Sequence, residues 1–269
     1  MNKYELTKRI ENFAPLETQE KWDCSGWIVD APNHDEISKV MLCLTVTDDV
    51  VRQAQINNCD MIISHHPLFF VPLKYTPLEG KGFYLNIYCA HTNLDLAQGG
   101  TTDVLIENVI NADESSGKLK VESGKLFNSI PLAPCGRGQN CLVNGSELSN
   151  SGEGFLRYLD TNINIYDFLT ILRQISPHLR YVNNKNIQTL RKIAFCAGSG
   201  AEFIEEARQN GADALVTGDL KFHTALDSPI ALFDIGHFES EIGVLKVFET
   251  LINNDVKVIY AQEKSPFNY

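Results

Sequence analysis

Short apolar runs alternate with amphipathic segments along the chain. Residues 40–46 (VMLCLTV) and 61–64 (MIIS) are largely apolar and predict buried strands, and the segment between them carries two aspartates where the first turn of a helix favours acidic residues. Residues 3–13 have apolar side chains at helical spacing and predict an amphipathic helix. A strand, a helix and a second strand in this order indicate a parallel sheet covered by helices.

A second copy of this pattern follows later in the chain. Residues 191–198 (RKIAFCAG) predict a strand, residues 199–213 a helix, and the run ALVTGDLKFH another strand. Two further predicted strands also correspond, because 85–95 ends in histidine and aspartate and 230–241 ends in histidine and glutamate. We therefore expect an α/β fold: two related lobes from an internal duplication, with mixed sheets covered by helices and a metal site between the lobes.

The two predicted lobes are separated by a segment of different composition. We expect an N-terminal α/β lobe at residues 1–110 and a C-terminal α/β lobe at residues 186–269. The intervening residues 111–185 include a stretch dense in glycine, asparagine, serine and proline and then a predicted helix. They predict a crossover segment without a separate inserted domain. Residues 240–255 predict one continuous amphipathic helix in the second lobe.

The composition narrows the possible function classes. A formal net charge of −11 argues against non-specific nucleic-acid binding, which requires an excess of basic residues, and suits a protein that holds cations. No apolar run reaches the roughly 18 residues of a membrane span, and the N-terminal helix has acidic residues unlike a signal peptide, so we expect a cytoplasmic protein with no membrane partner. The seven cysteines form no C-x-x-C pair, which predicts reduced thiols.

Histidines and carboxylates occur at the ends of the predicted strands. A strand that runs into His65 and His66 directs them to opposite faces of its pleat unless a turn intervenes. His237 and Glu241 are four residues apart, so a helix that begins near residue 238 aims both at one point. The candidate ligands of a pair of divalent ions are His65, His66, Asp95, His237 and Glu241.

The chemistry of these ligands restricts which metal ions could bind. Imidazole nitrogens combined with carboxylate oxygens suit zinc, iron, manganese or nickel far better than calcium. Each residue also has a structural alternative, because a single histidine at a strand end is often only hydrogen-bonded and an acidic residue in a first helical turn can serve the helix dipole.

Three further polar residues near these strand ends have more than one possible role. His91, Asp219 and His223 could orient the metal ligands, or act as the acid and base that move protons on substrate and product. His91 and His223 are the catalytic candidates among them. A purely structural role for each is the alternative.

Four sequence runs together resemble a known family across nearly the whole chain: CDMIISHHPLFF, YCAHTNLDLAQGGTTDVL, DALVTGDLKFHTA and DIGHFESE. In this order they resemble the type 2 GTP cyclohydrolase I homologue family, whose members are dinuclear metal-centre proteins. The resemblance implies the same five metal ligands, with Glu241 bridging, His65 and Asp95 on one ion, and His66 and His237 on the other. It also implies a toroidal homohexamer. Thr45 departs from the family, which commonly has aspartate at that position.

The resemblance gives the leading functional hypothesis. We expect a metal-dependent hydrolase that acts on a small-molecule substrate, such as a nucleotide, with hydrolytic opening of the GTP ring as the candidate reaction. One alternative is a metal-binding regulatory or scaffold protein with little turnover. Another is a phosphoesterase that uses the same two ions on a phosphate ester.

Overall fold

The computed structural model describes residues 1–68, 85–113, 117–119, 142–143, 146–147 and 154–267. The chain forms two compact units. The first unit contains the described residues of 1–100 together with 244–264. The second contains the described residues of 101–243 together with 265–267.

The described residues form β-strands and α-helices at the following positions. The strands in chain order are β1 (Gly26–Val29), β2 (Lys39–Cys43), β3 (Met61–Ser64), β4 (Asn86–Cys89), β5 (Leu142–Val143), β6 (Ser146–Glu147), β7 (Arg157–Asn164), β8 (Arg180–Val182), β9 (Thr189–Ser199), β10 (Ala214–Gly218), β11 (Ala231–Asp234) and β12 (Lys257–Tyr260). The helices are α1 (Lys3–Phe13), α2 (Asp48–Ile56), α3 (Thr92–Leu96), α4 (Thr101–Ala112), α5 (Ile165–Ile175), α6 (Ile204–Gln209), α7 (Phe222–Leu226), α8 (His237–Glu241) and α9 (Leu245–Ile252).

Side-chain caps fix where the longer helices begin. The Thr47 side chain accepts a hydrogen bond from the Val50 N–H at the start of α2, and Asn164 accepts one from the Tyr166 N–H at the start of α5. Each cap satisfies a backbone donor that the helix itself leaves unpaired, which stabilises a helix by about 1 kcal/mol. The predicted first helix is confirmed as α1, which Asn2 caps in the same way.

The sheet of the first unit has the strand order β1-β4-β3-β2-β12. Strands β2, β3 and β4 are parallel neighbours, β12 pairs in parallel with the free edge of β2, and β1 is antiparallel to β4. The core on one face of this sheet packs Met41 and Ile62 against Val50 and Ala54 of α2. Burial on both faces explains why the strand sequences are continuously apolar rather than alternating.

The sheet of the second unit has the strand order β7-β9-β10-β11-β8. Strands β9, β10 and β11 are parallel, whereas both edge strands are antiparallel to their neighbours. Phe168 and Leu172 of α5 pack on one face with Phe233, and Ala207 of α6 belongs to the core that contains Leu215. Both sheets are therefore mixed and covered by helices, as predicted.

The two units share one topology around their parallel strands. In the first, β2 leads through α2 to β3, and β4 lies beyond β3; in the second, β9 leads through α6 to β10, and β11 lies beyond β10. Each third strand also has an antiparallel neighbour, β1 in one sheet and β8 in the other. This correspondence agrees with the predicted internal repeat.

The boundaries of the two units differ from the predicted lobes. Strand β12 completes the β2 edge of the first sheet, where its N–H and C=O groups find partners, so residues 244–264 belong with the N-terminal strands. Residues 157–182, expected in a crossover, supply two strands and a helix to the second sheet. Residues 114–116, 120–141, 144–145 and 148–153 of the predicted crossover lie outside the described residues.

The helix predicted at 240–255 is interrupted. It consists of α8, a 3-10 turn at Ile242–Val244, and α9. Among the helices that the structure describes, none has the length and apolar character that crossing a membrane requires.

Candidate metal centre

Strand β3 ends in two histidine side chains that lie side by side. The ring centroids of His65 and His66 are 5.0 Å apart, so the two imidazoles are not on opposite faces of a pleat. The N–H groups of His65 and His66 both donate to the neighbouring segment, at Cys43 O and Leu44 O, whereas in a regular strand only alternate residues do so. The chain has left strand geometry at Ser64, and this turn brings both rings together.

His65 is fully buried, and its hydrogen bonds define which nitrogen carries the proton. Its Nδ1 lies 3.0 Å from the carbonyl oxygen of Ala90, which can only accept, so Nδ1 carries a hydrogen. In the neutral ring Nε2 then presents a lone pair, and Asp95 Oδ1 is 3.5 Å from it. Two acceptors that face each other in a buried place are the arrangement that a cation satisfies.

His91 is held by a buried carboxylate. Its Nδ1 lies 3.0 Å from Asp23 Oδ1, and Asp23 also accepts hydrogen bonds from the N–H and hydroxyl of Thr92 and from the N–H of Cys24. Burial raises the pKa of the Asp23 carboxyl, but the bonds from His91, Thr92 and Cys24 outweigh burial and hold this pKa well below its usual range. Asp23 is therefore a permanent anion behind the His91 ring.

Three imidazoles of the first unit form one group. His65, His66 and His91 each offer a ring nitrogen, and these nitrogens lie within 4.8 Å of one another, close enough to ligate one metal ion. The Nδ1 of His66 is 2.7 Å from the Thr45 hydroxyl, which can donate or accept. Thr45, which stands where the resembled family commonly has aspartate, thus contacts a predicted ligand directly.

The second unit brings His237 and Glu241 together on α8. His237 Nε2 is 3.1 Å from Glu241 Oε2, as the four-residue spacing predicted, and its Nδ1 is 2.7 Å from Asp219 Oδ2. Burial lowers the pKa of His237, but the Glu241 and Asp219 carboxylates outweigh it and raise the pKa to about 9. Without a metal ion the ring is an imidazolium between two carboxylates.

The backbone at two positions is adapted to this arrangement. Asp219 has φ 58°, a left-handed conformation that few residues other than glycine, asparagine and aspartate adopt. Gly198 has φ +66°, and a Cβ placed on it would lie 2.3 Å from Glu241 Oε1. Glycine at this position leaves room for the carboxylate, which is only 5% exposed.

The structure distributes the predicted site residues as follows. His65, His66, His91 and Asp95 lie together in the first unit, and His237, Glu241 and Asp219 lie together in the second. His223 is exposed on α7, with its ring against Phe222. The sequence reasoning missed Asp23, although an aspartate followed by Cys-Ser-Gly is typical of a side chain that caps its own loop.

One feature is common to the four histidines of the two groups. Each has its Nδ1 within hydrogen-bond distance of an oxygen: a backbone carbonyl for His65, a hydroxyl for His66, and a carboxylate for His91 and His237. Metal-bound histidines almost always use one nitrogen in this way, which fixes the ring and leaves the other nitrogen for the ion. The donor set therefore fits divalent metal ions.

Comparison with known proteins identifies the family. The family model described as Duf34/NIF3 (NGG1p interacting factor 3) matches residues 1–266. The chain belongs to the Duf34/NIF3 family.

Two clostridial relatives of this chain are named GTP cyclohydrolase 1 type 2 homolog. The one from Clostridium perfringens is 30% identical over 97% of this chain and 96% of its own length. The one from Clostridium acetobutylicum is 31% identical over 88% of this chain and 84% of its own length. A solved structure of a hypothetical protein from Staphylococcus aureus has a similar fold, with a TM-score of 0.75 and 24% identity over 100% of this chain and 99% of that one.

Proposed function

We propose that this NIF3-family protein is a hydrolase that depends on two divalent metal ions and acts on a nucleotide, with GTP ring opening as the candidate reaction. The ligands in this proposal are His65, His66, Asp95, His237 and Glu241. The observation that supports it most strongly is that every histidine in the two groups has an oxygen atom within hydrogen-bond distance of its Nδ1. The name of the clostridial relatives suggests the substrate.

The donor set favours zinc, iron, manganese or nickel in this proposal. Nitrogen ligands predominate in the first unit, and the second adds the Glu241 carboxylate beside His237. Bound as a pair, such ions would supply Lewis acidity and an activated water at neutral pH. Binding of a metal ion by His237 requires this side chain to lose the proton that its two carboxylate neighbours stabilise.

His91 is the residue that we propose moves protons between water and substrate. The Asp23 carboxylate holds its Nδ1, which leaves Nε2 as the nitrogen for proton transfer, and the ring lies beside those of His65 and His66. A permanently ionised Asp23 stabilises the imidazolium that forms when His91 accepts a proton, and it keeps the ring in one tautomer. The exposed position of His223 on α7 does not support the catalytic role predicted for it.

The proposal is tested by metal content and product chemistry in the same preparations. We expect elemental analysis to find two ions per chain in the wild type and clearly fewer in His65→Ala and Glu241→Gln. His178→Ala is the control, because this histidine is exposed and lies outside both groups. With GTP we expect release of formate that Glu241→Gln abolishes. Fewer than one ion per chain in the wild type, or unchanged content in His65→Ala, would contradict the ligand assignment.

The same experiment distinguishes the proposed hydrolase from the two alternative functions. Release of orthophosphate from phosphate esters without formate from GTP would indicate a di-metal phosphoesterase. Full metal occupancy without turnover of either substrate class would indicate a metal-binding regulatory or scaffold protein. The homohexamer and the cytoplasmic location stay predictions, and light scattering of the purified protein measures the first of them.

A further inference from the structure

Asp234 is a buried carboxylate at the end of β11, and both of its oxygens accept hydrogen bonds from the backbone. Oδ2 accepts from the Leu220 N–H at 3.1 Å, and Oδ1 accepts from the Gly236 N–H at 3.1 Å. Leu220 directly follows Asp219, and Gly236 directly precedes His237. One side chain therefore binds both of the loops that carry the partners of the His237–Asp219 hydrogen bond.

The two loops need such a contact, because each leaves its strand in a left-handed conformation. Asp219 has φ 58° and Gly236 has φ 88°. For a residue other than glycine this conformation is unfavourable, and it persists where the surrounding contacts determine it. These conformations set the direction in which each loop continues. The 2.7 Å contact between His237 Nδ1 and Asp219 Oδ2 therefore depends on both of them.

Arg180 holds the Asp234 carboxylate from the neighbouring strand. It is the direct antiparallel partner of Asp234, and its Nη2 donates both to Asp234 Oδ2 and to the carbonyl oxygen of Leu220. The carboxylate is buried, whereas the guanidinium is largely exposed, so the cation offsets the buried negative charge while it stays in contact with water. Arg180 thus fixes the carboxylate and the loop after β10 together.

A second aspartate of the same sheet makes the same type of contact at the opposite strand ends. Asp213 accepts hydrogen bonds from the N–H of Arg191 at 2.6 Å and from the N–H of Lys192 at 3.2 Å. It directly precedes β10, whereas Asp219 directly follows it, and a strand of 5 residues is about 17 Å long. Asp213 is therefore a matched control for a carboxylate that binds backbone N–H groups away from the site.

We propose that Asp234 is a positioning residue for His237. It holds the two loops at the separation that the His237–Asp219 hydrogen bond requires, and this bond directs the Nε2 of His237 towards a metal ion. The inference rests on the proposed function, in which His237 is a metal ligand. Both Asp234 oxygens already accept hydrogen bonds, so Asp234 acts through the loops and not as a ligand itself.

The first measurement uses the metal-free protein with isotope-labelled histidine. The ring nitrogen signals of His237, assigned with His237→Gln, report the hydrogen bond at Nδ1 in nuclear magnetic resonance at one fixed pH. Asp219→Gly shows where they lie when this bond is lost, because glycine tolerates the left-handed backbone and has no side chain. An asparagine side chain cannot accept with both of its terminal atoms. We therefore expect Asp234→Asn to move the signals most of the way to the Asp219→Gly positions, and Asp213→Asn to leave them unchanged.

The second measurement is a double-mutant cycle of Zn²⁺ affinity. We expect Asp234→Asn to weaken Zn²⁺ binding roughly 10- to 100-fold, as the loss of a group that orients a ligand does, and Asp213→Asn to leave it unchanged. In the Asp219→Gly background, Asp234→Asn should weaken binding by no more than about 2-fold, because no hydrogen bond remains to be positioned. An equal weakening in both backgrounds is the result that a purely structural role predicts, and it would overturn the inference.

The outcomes distinguish this inference from the proposed function. Wild-type ring signals in Asp234→Asn would overturn the positioning role, even if the protein binds Zn²⁺ and hydrolyses GTP. Shifted signals in a protein that binds no Zn²⁺ would support the positioning of His237 and count against the hydrolase. If Asp234→Asn does not fold, Arg180→Met replaces it, because it removes only the exposed cation. The His237 signals should then move in the same direction by a smaller amount, and unchanged signals would overturn the inference.

Discussion

Replacing Gly198 by alanine tests whether the arrangement of His237 and Glu241 in the second unit requires a residue without a side chain at position 198. A Cβ on Gly198 would lie 2.3 Å from Glu241 Oε1, closer than real Cβ contacts come. The glycine cannot retreat easily, because its N–H donates to Ser240 Oγ at 2.9 Å and its carbonyl accepts from Thr217 Oγ1 at 3.0 Å. Since Glu241 is buried as well, alanine has to displace the carboxylate from its place beside His237.

Gly211→Ala is the matched control for this substitution. Gly211 has φ +80°, similar to the +66° of Gly198, but no atom lies within 4 Å of its hypothetical Cβ. A left-handed conformation costs a non-glycine residue roughly 1–2 kcal/mol, so Gly211→Ala should lower the free energy of unfolding by about that amount. Overpacking adds roughly 1–3 kcal/mol at Gly198, which gives a total of about 2–5 kcal/mol for Gly198→Ala.

Urea unfolding of the metal-free variants, followed by circular dichroism, measures both costs, and their difference isolates the clash with Glu241. Titration with Zn²⁺ then measures the consequence for the site. We expect Zn²⁺ affinity to fall roughly 10- to 100-fold in Gly198→Ala, as it does when a group that positions a metal ligand is changed, and to stay at the wild-type value in Gly211→Ala. Equal unfolding free energies in the two variants, or wild-type affinity in Gly198→Ala, would refute the reasoning.

Three further predictions follow from other contacts. Asp23→Asn removes the anion behind His91, so we expect the turnover number to fall roughly 10- to 100-fold at unchanged metal content, whereas unchanged turnover would exclude a role for this pair. Lys3→Met removes a 1%-exposed ammonium that holds two aspartates, and should cost about 1.5–3 kcal/mol in urea unfolding, against less than about 0.5 kcal/mol for the exposed Lys8→Met. The pKa of His237 is raised to about 9 from 6.5, so its stabilisation of the metal-free protein is complete below about pH 6.5 and lost as the pH rises through about 9. Unfolding of His237→Gln should lack this decline, and an equal decline in that variant would assign the effect to another group.

The parts of the fold that could be predicted are those encoded by local patterns. Helix α1 and strand β3 lie where the apolar spacing placed them, because each is specified by neighbouring residues along the chain. The partner of β12 could not be predicted in this way. Its apolar pattern fits any open sheet edge, and only the completed β2 edge, reached across more than 200 residues, shows which one it joins.

In the candidate site, too, contacts between residues close in sequence could be predicted and contacts between distant residues could not. The four-residue spacing of His237 and Glu241 specified their contact, since helical geometry alone determines it. Asp23 and His91 are 68 residues apart, and nothing in the sequence between them encodes their hydrogen bond. The side-by-side placement of His65 and His66 depended on where β3 ends, and strand ends are among the features that sequence patterns specify least well.

Corresponding strand ends in the two units carry polar residues of opposite type, a histidine in one unit where the other has an acidic residue. In the first unit the residue directly after the middle parallel strand is His65, and it faces Asp95, which follows the third parallel strand. In the second unit the residue directly after the middle strand is Asp219, and it faces His237, which follows the third. Each pair of strand ends thus produces an imidazole–carboxylate contact with the roles reversed. The two units therefore offer unlike ligand sets, one rich in nitrogen and one rich in carboxylate oxygen, so a metal ion held by one set would have different surroundings and a different affinity from an ion held by the other.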